Sequence, residues 1–220
     1  MTTSLESAIV RIRAPNGTVV GTGFLVTGHH VLTCAHVVTS ALGLPPRAPN
    51  PPQADLHLDF PLLAPESILT ARVSHWQPAI DVAVLELTSD PPAESKPVRL
   101  VTADDLWNHS FRALGFPAGY EQGVWASGVL RGRQADGWLQ IEDTKETGYL
   151  IAPGFSGGPV WDDVLGGVVG MIVAADTDEN IKAAFLIPTD VLAETLPDLV
   201  HAYVEWAQAQ LDADMDRLRA

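Results

Sequence analysis

Gly154-Phe155-Ser156-Gly157-Gly158-Pro159 is the stretch on which the reading of this chain turns, because it has the form of a serine nucleophile set in its own oxyanion-binding turn. A hydroxyl is a poor nucleophile at neutral pH. Ser156 therefore needs a base to take its proton and donors to hold the oxyanion that forms on an attacked carbonyl. Gly154, with no Cβ, adopts dihedrals closed to other residues, so its N–H can point with that of Ser156 into one small hole. Gly157 and Gly158 let the chain leave without crowding a bound substrate, and Pro159 fixes the exit. A bare Gly-x-Ser-Gly reads equally well as a glycine-rich hairpin turn with a small polar residue. What lies upstream decides between the two.

The length of 220 residues fits one large all-β domain or two small ones, and the chain is 46% hydrophobic and 18% charged, as expected of a folded protein. With 27 acidic against 13 basic side chains, the formal charge of -14 argues against binding to nucleic acid or to an anionic membrane surface. Cys34 is the single cysteine, so no internal disulfide forms and an oxidising compartment is not required. The start, Met1 to Glu6, has neither the basic segment nor the apolar run of a signal peptide, and no window approaches the roughly 18 to 20 apolar residues of a membrane span. These features point to a cytoplasmic protein, or to a cytoplasmic domain of a longer chain.

Strand signals dominate. The spacing predicts strands over 8–14, 17–27 and from Val31 towards Val38, where the strand runs into a short helical turn with His36 at the junction. The segment from Leu42 to Gln53 carries five prolines and reads as a surface loop. Further strands are predicted at Leu56–Phe60, Ile68–Trp76 and Ile80–Leu87, the last almost wholly apolar but for Asp81 near its beginning and Glu86. Ser89 to Pro97 has the composition of a linker. After it come Phe111–Phe116, Gly123–Arg131, Trp138–Glu142, Pro159–Trp161, Val168–Ala174 and Ala184–Ile187. The halves have similar strand content without a fixed-period repeat. Two β-barrels side by side are expected, over residues 1–95 and 96–188, with a helical segment at 189–220. In that segment Thr189 is the expected N-cap of a helix over Asp190–Leu196, and an amphipathic helix follows Pro197 with Leu199, Tyr203, Trp206 and Gln210 at helical spacing. Its apolar stripe is expected to pack on the barrels, with Asp212–Ala220 as the start of a linker.

A serine nucleophile wants a neutral imidazole, and the imidazole wants a carboxylate to fix its tautomer. His29, His30, His57, His75, His109 and His201 read as turn or surface residues. His36 stands apart by its frame, Leu32-Thr33-Cys34-Ala35-His36-Val37-Val38. Asp81 stands apart because a charge leading an apolar strand is costly to bury unless hydrogen-bonded. Cys34 reads as a buried small residue rather than a second nucleophile.

The frames Thr-x-Ala-His-Val at His36, Asp-Val-Ala-Val-Leu at Asp81 and Gly-x-Ser-Gly-Gly-Pro at Ser156 resemble, in that order, the chymotrypsin-like (trypsin-like) serine proteases. The chain is most similar to the disulfide-free bacterial branch that includes the HtrA/Deg proteases, without a PDZ-like segment, over about residues 8–195. The resemblance implies an all-β fold of two six-stranded antiparallel barrels with a C-terminal helix and the site in their cleft. It implies His36 as general base and acid, Asp81 as its orienter, Ser156 as nucleophile, and the N–H groups of Gly154 and Ser156 as the oxyanion hole. The implied substrate is polypeptide, cut through an acyl-enzyme with no metal and no organic cofactor.

One position departs from the zymogen-activated relatives. There a freshly cut N-terminus pairs with an Asp just before the nucleophile, whereas here that position is Phe155, so activation by propeptide cleavage is not expected. How the oxyanion loop is ordered stays open at this point. The positions that line the specificity pocket in this family correspond to Tyr149–Ala152 and Met171–Ala175. The pocket candidates Leu150, Ile151, Met171, Ile172, Val173 and Ala174 are all uncharged, which points to a small or medium apolar side chain at the cleaved position. Asp176, Asp178, Glu179 and Asn180 read as a solvated hairpin turn. The leading expectation is a serine endopeptidase, the protease module of an intracellular bacterial regulatory or defence protein with further domains. A catalytically silent binding module on the same fold is the alternative, and an esterase using the same residues is a third reading.

Overall fold

A computed structural model describes residues 4–145, 147–175, 182–201, 203, 204 and 208. Two closed antiparallel barrels of six strands each make up the fold, as expected. The first contains β1 (Ile9–Arg13), β2 (Val19–Leu25), β3 (His30–Thr33), β4 (Leu56–Phe60), β5 (Ala64–Gln77) and β6 (Val82–Leu87). Helix α1 (Ala35–Ala41) leaves the end of β3. The second contains β7 (Ser110–Gly115), β8 (Val124–Arg133), β9 (Leu139–Glu142), β10 (Pro159–Asp162), β11 (Gly167–Ala175) and β12 (Ala183–Pro188). Strand order around the first barrel is β1-β2-β3-β6-β5-β4, and the second, read from β7, repeats it as β7-β8-β9-β12-β11-β10. The similarity of the halves is therefore one of topology, carried without a sequence repeat.

Alternation explains the interiors. Ile9, Phe24, Leu32, Leu58 and Leu85 point into one core, and Phe111, Leu130, Ile141, Val160 and Leu186 into the other; all are fully or almost fully buried. The first barrel also buries charge. Arg11 on β1 lies opposite Asp59 on β4, with side chains 2% and 0% exposed, and Arg13 shares the same carboxylate at 3.1 Å. The crossing between barrels is laid over both of them: the Val98 N–H donates to the Leu25 carbonyl and the Val101 N–H to the Val168 carbonyl.

Several local expectations change. Strand β6 starts at Val82 rather than Ile80, because Asp81 takes a left-handed backbone (φ 60°) that a strand cannot contain. Helix α2 (Thr189–Thr195) begins one residue early, with Pro188 at the N-cap and no side-chain cap. Thr189 is no cap because its hydroxyl donates instead to the buried Val168 carbonyl at 3.1 Å. Residues 197–201 are helical again, Leu199 packs on the core and the Tyr203 hydroxyl accepts the Leu100 N–H at 3.2 Å. Trp206, Gln210 and the Asp212–Ala220 stretch lie outside the described residues, as do Asp176, Asp178, Glu179 and Asn180. No helix among the described residues is long and apolar enough to cross a membrane.

His109 is not merely a surface residue. Its Nδ1 lies 2.7 Å from Asp162 Oδ2, and the other Asp162 oxygen accepts the N–H groups of Val164 (2.7 Å) and Leu165 (2.9 Å), so one fully buried carboxylate closes the β10–β11 turn. Removing it strands three donors. Asp162→Ala is expected to lower unfolding free energy by about 2 kcal/mol or more, read by urea denaturation, and a loss under about 0.5 kcal/mol would contradict this account.

Candidate active site

The strand end and the helix start bring His36 and Asp81 together. Thr33 closes β3, Cys34 in extended conformation is the α1 N-cap, and His36 falls in the first turn of that helix. Asp81 meets it from the start of β6. Its Oδ1 accepts the His36 backbone N–H at 2.9 Å, its Oδ2 lies 2.6 Å from His36 Nδ1, and its carbonyl accepts the Ala35 N–H at 3.2 Å. A carboxylate can only accept, so Nδ1 carries the proton, and in the neutral imidazole Nε2 then holds the lone pair. The imidazole, 39% exposed, faces the same cavity as Ser156.

The turn that carries Ser156 is built by alternation. Phe155 N–H donates to the Ala152 carbonyl at 3.1 Å, with Pro153 and Gly154 (φ 106°) between them, the residues a type II turn demands. Gly157 N–H donates to the Ile172 carbonyl and Gly158 N–H to the Phe155 carbonyl, both at 2.8 Å. The Gly154 carbonyl accepts the Phe116 N–H and the Thr22 hydroxyl, and the Ser156 carbonyl accepts the Thr22 N–H. Among the described residues the N–H groups of Gly154 and Ser156 have no acceptor. No other residue type fits at Gly154, where a Cβ would lie 2.4 Å from the Phe116 carbonyl oxygen.

Phe155 resolves how this turn is ordered. The ring is fully buried in the second core with Phe111, Ile141 and Val160, and it covers Gly115 so closely that a Cβ there would lie 2.3 Å from the ring. An apolar plug holds the loop.

A cavity of about 840 Å³ opens beside His36 and Ser156. Leu150, Ile151, Ile172 and Ala174 line it, with Ala126, Ile141 and Ala184. Met171 and Val173, predicted as lining, do not: they are 0% and 5% exposed and pack into the core shared with the first barrel, because successive residues of β11 face opposite sides. Sequence reasoning also missed charges at this wall, Glu142, Asp143 and Lys182. The Asp143 N–H donates to the Lys182 carbonyl, which brings the ends of β9 and β12 to the pocket, a pairing that no local pattern signals. Glu142 is held by Arg131 and Gln140, each at 2.7 Å, and the Lys182 ammonium donates to the Lys145 carbonyl at 2.5 Å.

Cys34, His36 and Asp81 offer ligand atoms within 4.8 Å of one another. Burial, and then the charge of Asp81, push the Cys34 thiol well above its usual range, and its Sγ donates to the Ile172 carbonyl at 3.3 Å. A metal takes the thiolate, and this environment disfavours it. Cys34 is a packing residue.

The model of the trypsin-like peptidase domain matches residues 21–171. The chain belongs to that family. A curated relative, Protease Do-like 1, chloroplastic, of Arabidopsis thaliana, is 28% identical over 198 residues, covering 86% of this chain but only 40% of the relative's own length. Among solved structures the chain is similar to Rv3671c of M. tuberculosis in an inactive form (TM-score 0.61, 23% identity, 89% of this chain and 90% of that one). The active form of that protease gives a TM-score of 0.60 at 23% identity, over 89% of this chain and 82% of that one. At that identity the likeness is one of fold.

Two outcomes check the packing of this family member's site. Cys34 is expected to resist iodoacetamide at pH 8 in the folded chain and to react only in denaturant; equal rates in both states would refute the packing role. Phe155→Ala is expected to cost about 3–5 kcal/mol in chemical denaturation, and a change below about 1 kcal/mol would mean that the ring does not anchor the turn.

Proposed function

We propose that the chain is a serine endopeptidase module in which Ser156 is the nucleophile, His36 the general base and acid, and Asp81 the group that orients His36. The observation that carries this reading is the pair of N–H groups at Gly154 and Ser156 that have no acceptor among the described residues, in a turn whose Phe155, Gly157 and Gly158 N–H groups and Gly154, Phe155 and Ser156 carbonyls are engaged, beside an imidazole whose tautomer Asp81 selects. Ser156 Oγ attacks the peptide carbonyl carbon and its proton passes to His36 Nε2. The carbonyl oxygen takes the negative charge and accepts both N–H groups. His36 then gives the proton to the departing amine, which leaves Ser156 acylated, and water repeats the sequence to release the acid.

The apolar lining of Ile151, Ile172, Ala174 and Ala184 supports an uncharged side chain at the cleaved position. We further propose that the module belongs to a longer, intracellular bacterial protein with a regulatory or defence role. The partial coverage of the curated relative and the lack of any need for disulfides are consistent with this. No metal or organic cofactor enters the mechanism.

Fluorophosphonate is expected to label the wild-type chain at Ser156, located by mass spectrometry, and both Ser156→Ala and His36→Ala should abolish the adduct. Failure of the folded wild type to label would instead support a silent binding module. Faster turnover of small esters than of any peptide would favour the esterase reading.

A further inference from the structure

We propose that Arg11 is a positioning residue for the oxyanion turn, clamping the β7–β8 loop of the second barrel, and through it Gly154, onto the first. The catalytic meaning of this role rests on the peptidase reading above. Arg11 is 2% exposed in the middle of β1 and grips Asp59 with two prongs, Nε to Oδ1 at 3.0 Å and Nη2 to Oδ2 at 2.8 Å. Charge balance does not demand it, because Arg13 already pairs with the same carboxylate at 3.1 Å. What distinguishes Arg11 is where its remaining donors go. Nη1 donates to the Glu121 carbonyl, Nη2 also reaches the Pro65 carbonyl at 3.4 Å, and the guanidinium lies 5.7 Å from the centre of the Phe116 ring.

Glu121 and Phe116 belong to the segment between β7 and β8, the segment against which the oxyanion turn is built. The Phe116 N–H donates to the Gly154 carbonyl at 3.0 Å, and the Phe116 carbonyl fills the space that any Cβ on Gly154 would need. A continuous path therefore runs from Asp59 through Arg11 and Phe116 to Gly154. Only a planar fork can hold a carboxylate on one edge and still donate to a carbonyl in the other barrel; an ammonium is a point charge that satisfies one side. The Gly154 N–H has to meet an oxygen whose charge exists only in the transition state, and a displacement of about 1 Å costs about a hundred-fold in rate. Loosening the loop should thus act on kcat rather than on substrate affinity.

The test uses the full chain, a peptide substrate, a peptidyl trifluoromethyl ketone whose hemiketal oxyanion occupies the hole, and amide hydrogen exchange. Arg11→Met removes the clamp. Arg11→Lys retains a cation beside Asp59 and serves if the first variant does not fold. Arg13→Gln disturbs the same ion pair without touching the β7–β8 loop. For the Arg11 variants, kcat is expected to fall about ten- to a hundred-fold with KM within about two-fold, ketone affinity to fall by the same factor, and exchange over 150–158 to rise about five-fold or more. Arg13→Gln should lower stability and leave all three readouts at the wild-type level. Wild-type kinetics and exchange in Arg11→Lys, or an equal effect of Arg13→Gln, would overturn the proposal. A folded wild-type chain that neither turns over nor labels overturns the peptidase reading alone, and exchange over 150–158 then decides the role of Arg11 by itself.

Discussion

Thr22 ties the barrels together at the point where the site lies. It is fully buried on β2, its N–H donates to the Ser156 carbonyl at 3.0 Å and its hydroxyl to the Gly154 carbonyl at 2.9 Å, while its own carbonyl accepts the Thr33 hydroxyl at 2.7 Å. The consequence follows from peptide planarity. The Gly154–Phe155 peptide is held at both ends, by Thr22 and Phe116 on its carbonyl and by Ala152 on its N–H. The Ser156–Gly157 peptide is held at both ends as well, by Thr22 and by the Ile172 carbonyl. The Phe155–Ser156 plane lies between these two and the Pro153–Gly154 plane adjoins the first, so both have little freedom, and their N–H groups, those of Ser156 and Gly154, are left without an acceptor among the described residues. A seam this tight admits no side chain, since a Cβ at Gly157 would lie 2.1 Å from the Thr22 carbonyl oxygen.

The partner of the imidazole is held under strain. A left-handed backbone at a non-glycine residue costs about 1–2 kcal/mol, and Asp tolerates it better than most. Asp81 offsets that cost with three contacts to one short segment, the N–H groups of Ala35 and His36 and the His36 ring. The strain turns the carboxylate out of the line of β6 and under His36. It also explains why a nearly continuous apolar strand begins with a charge: the charged residue precedes the strand.

Much of this was legible in the sequence because it is written locally. The glycines at 154, 157 and 158, the Ala-His step at 35–36 and the Asp81 to Leu85 run each carry their constraint within a few residues, and two barrels followed from strand signals and the order of those frames. What was not legible depends on pairing across long separations. Nothing near Arg11 in the sequence marks it out from Arg13, and only its register with Asp59 and its reach to Glu121 give it a partner in each barrel. Glu142, Asp143 and Lys182 come to the pocket wall because β9 and β12 end side by side. Met171 and Val173 illustrate the opposite case. Alternation along β11 was available and would have separated them from Ile172 and Ala174.

Phe155 bears on how such a site can be controlled. An ionic latch that joins a freshly cut N-terminus to an Asp is made after folding, so the turn it orders can be left unformed until a cleavage supplies the ammonium. A ring packed among Phe111, Ile141 and Val160 is made with the core itself. Withdrawing it would expose the hollow over Gly115 and forfeit burial worth about 3–5 kcal/mol, a large fraction of the stability of any domain. The turn and the second barrel therefore form together. The ring that orders this turn is thus part of the second core and needs no cleavage to put it in place.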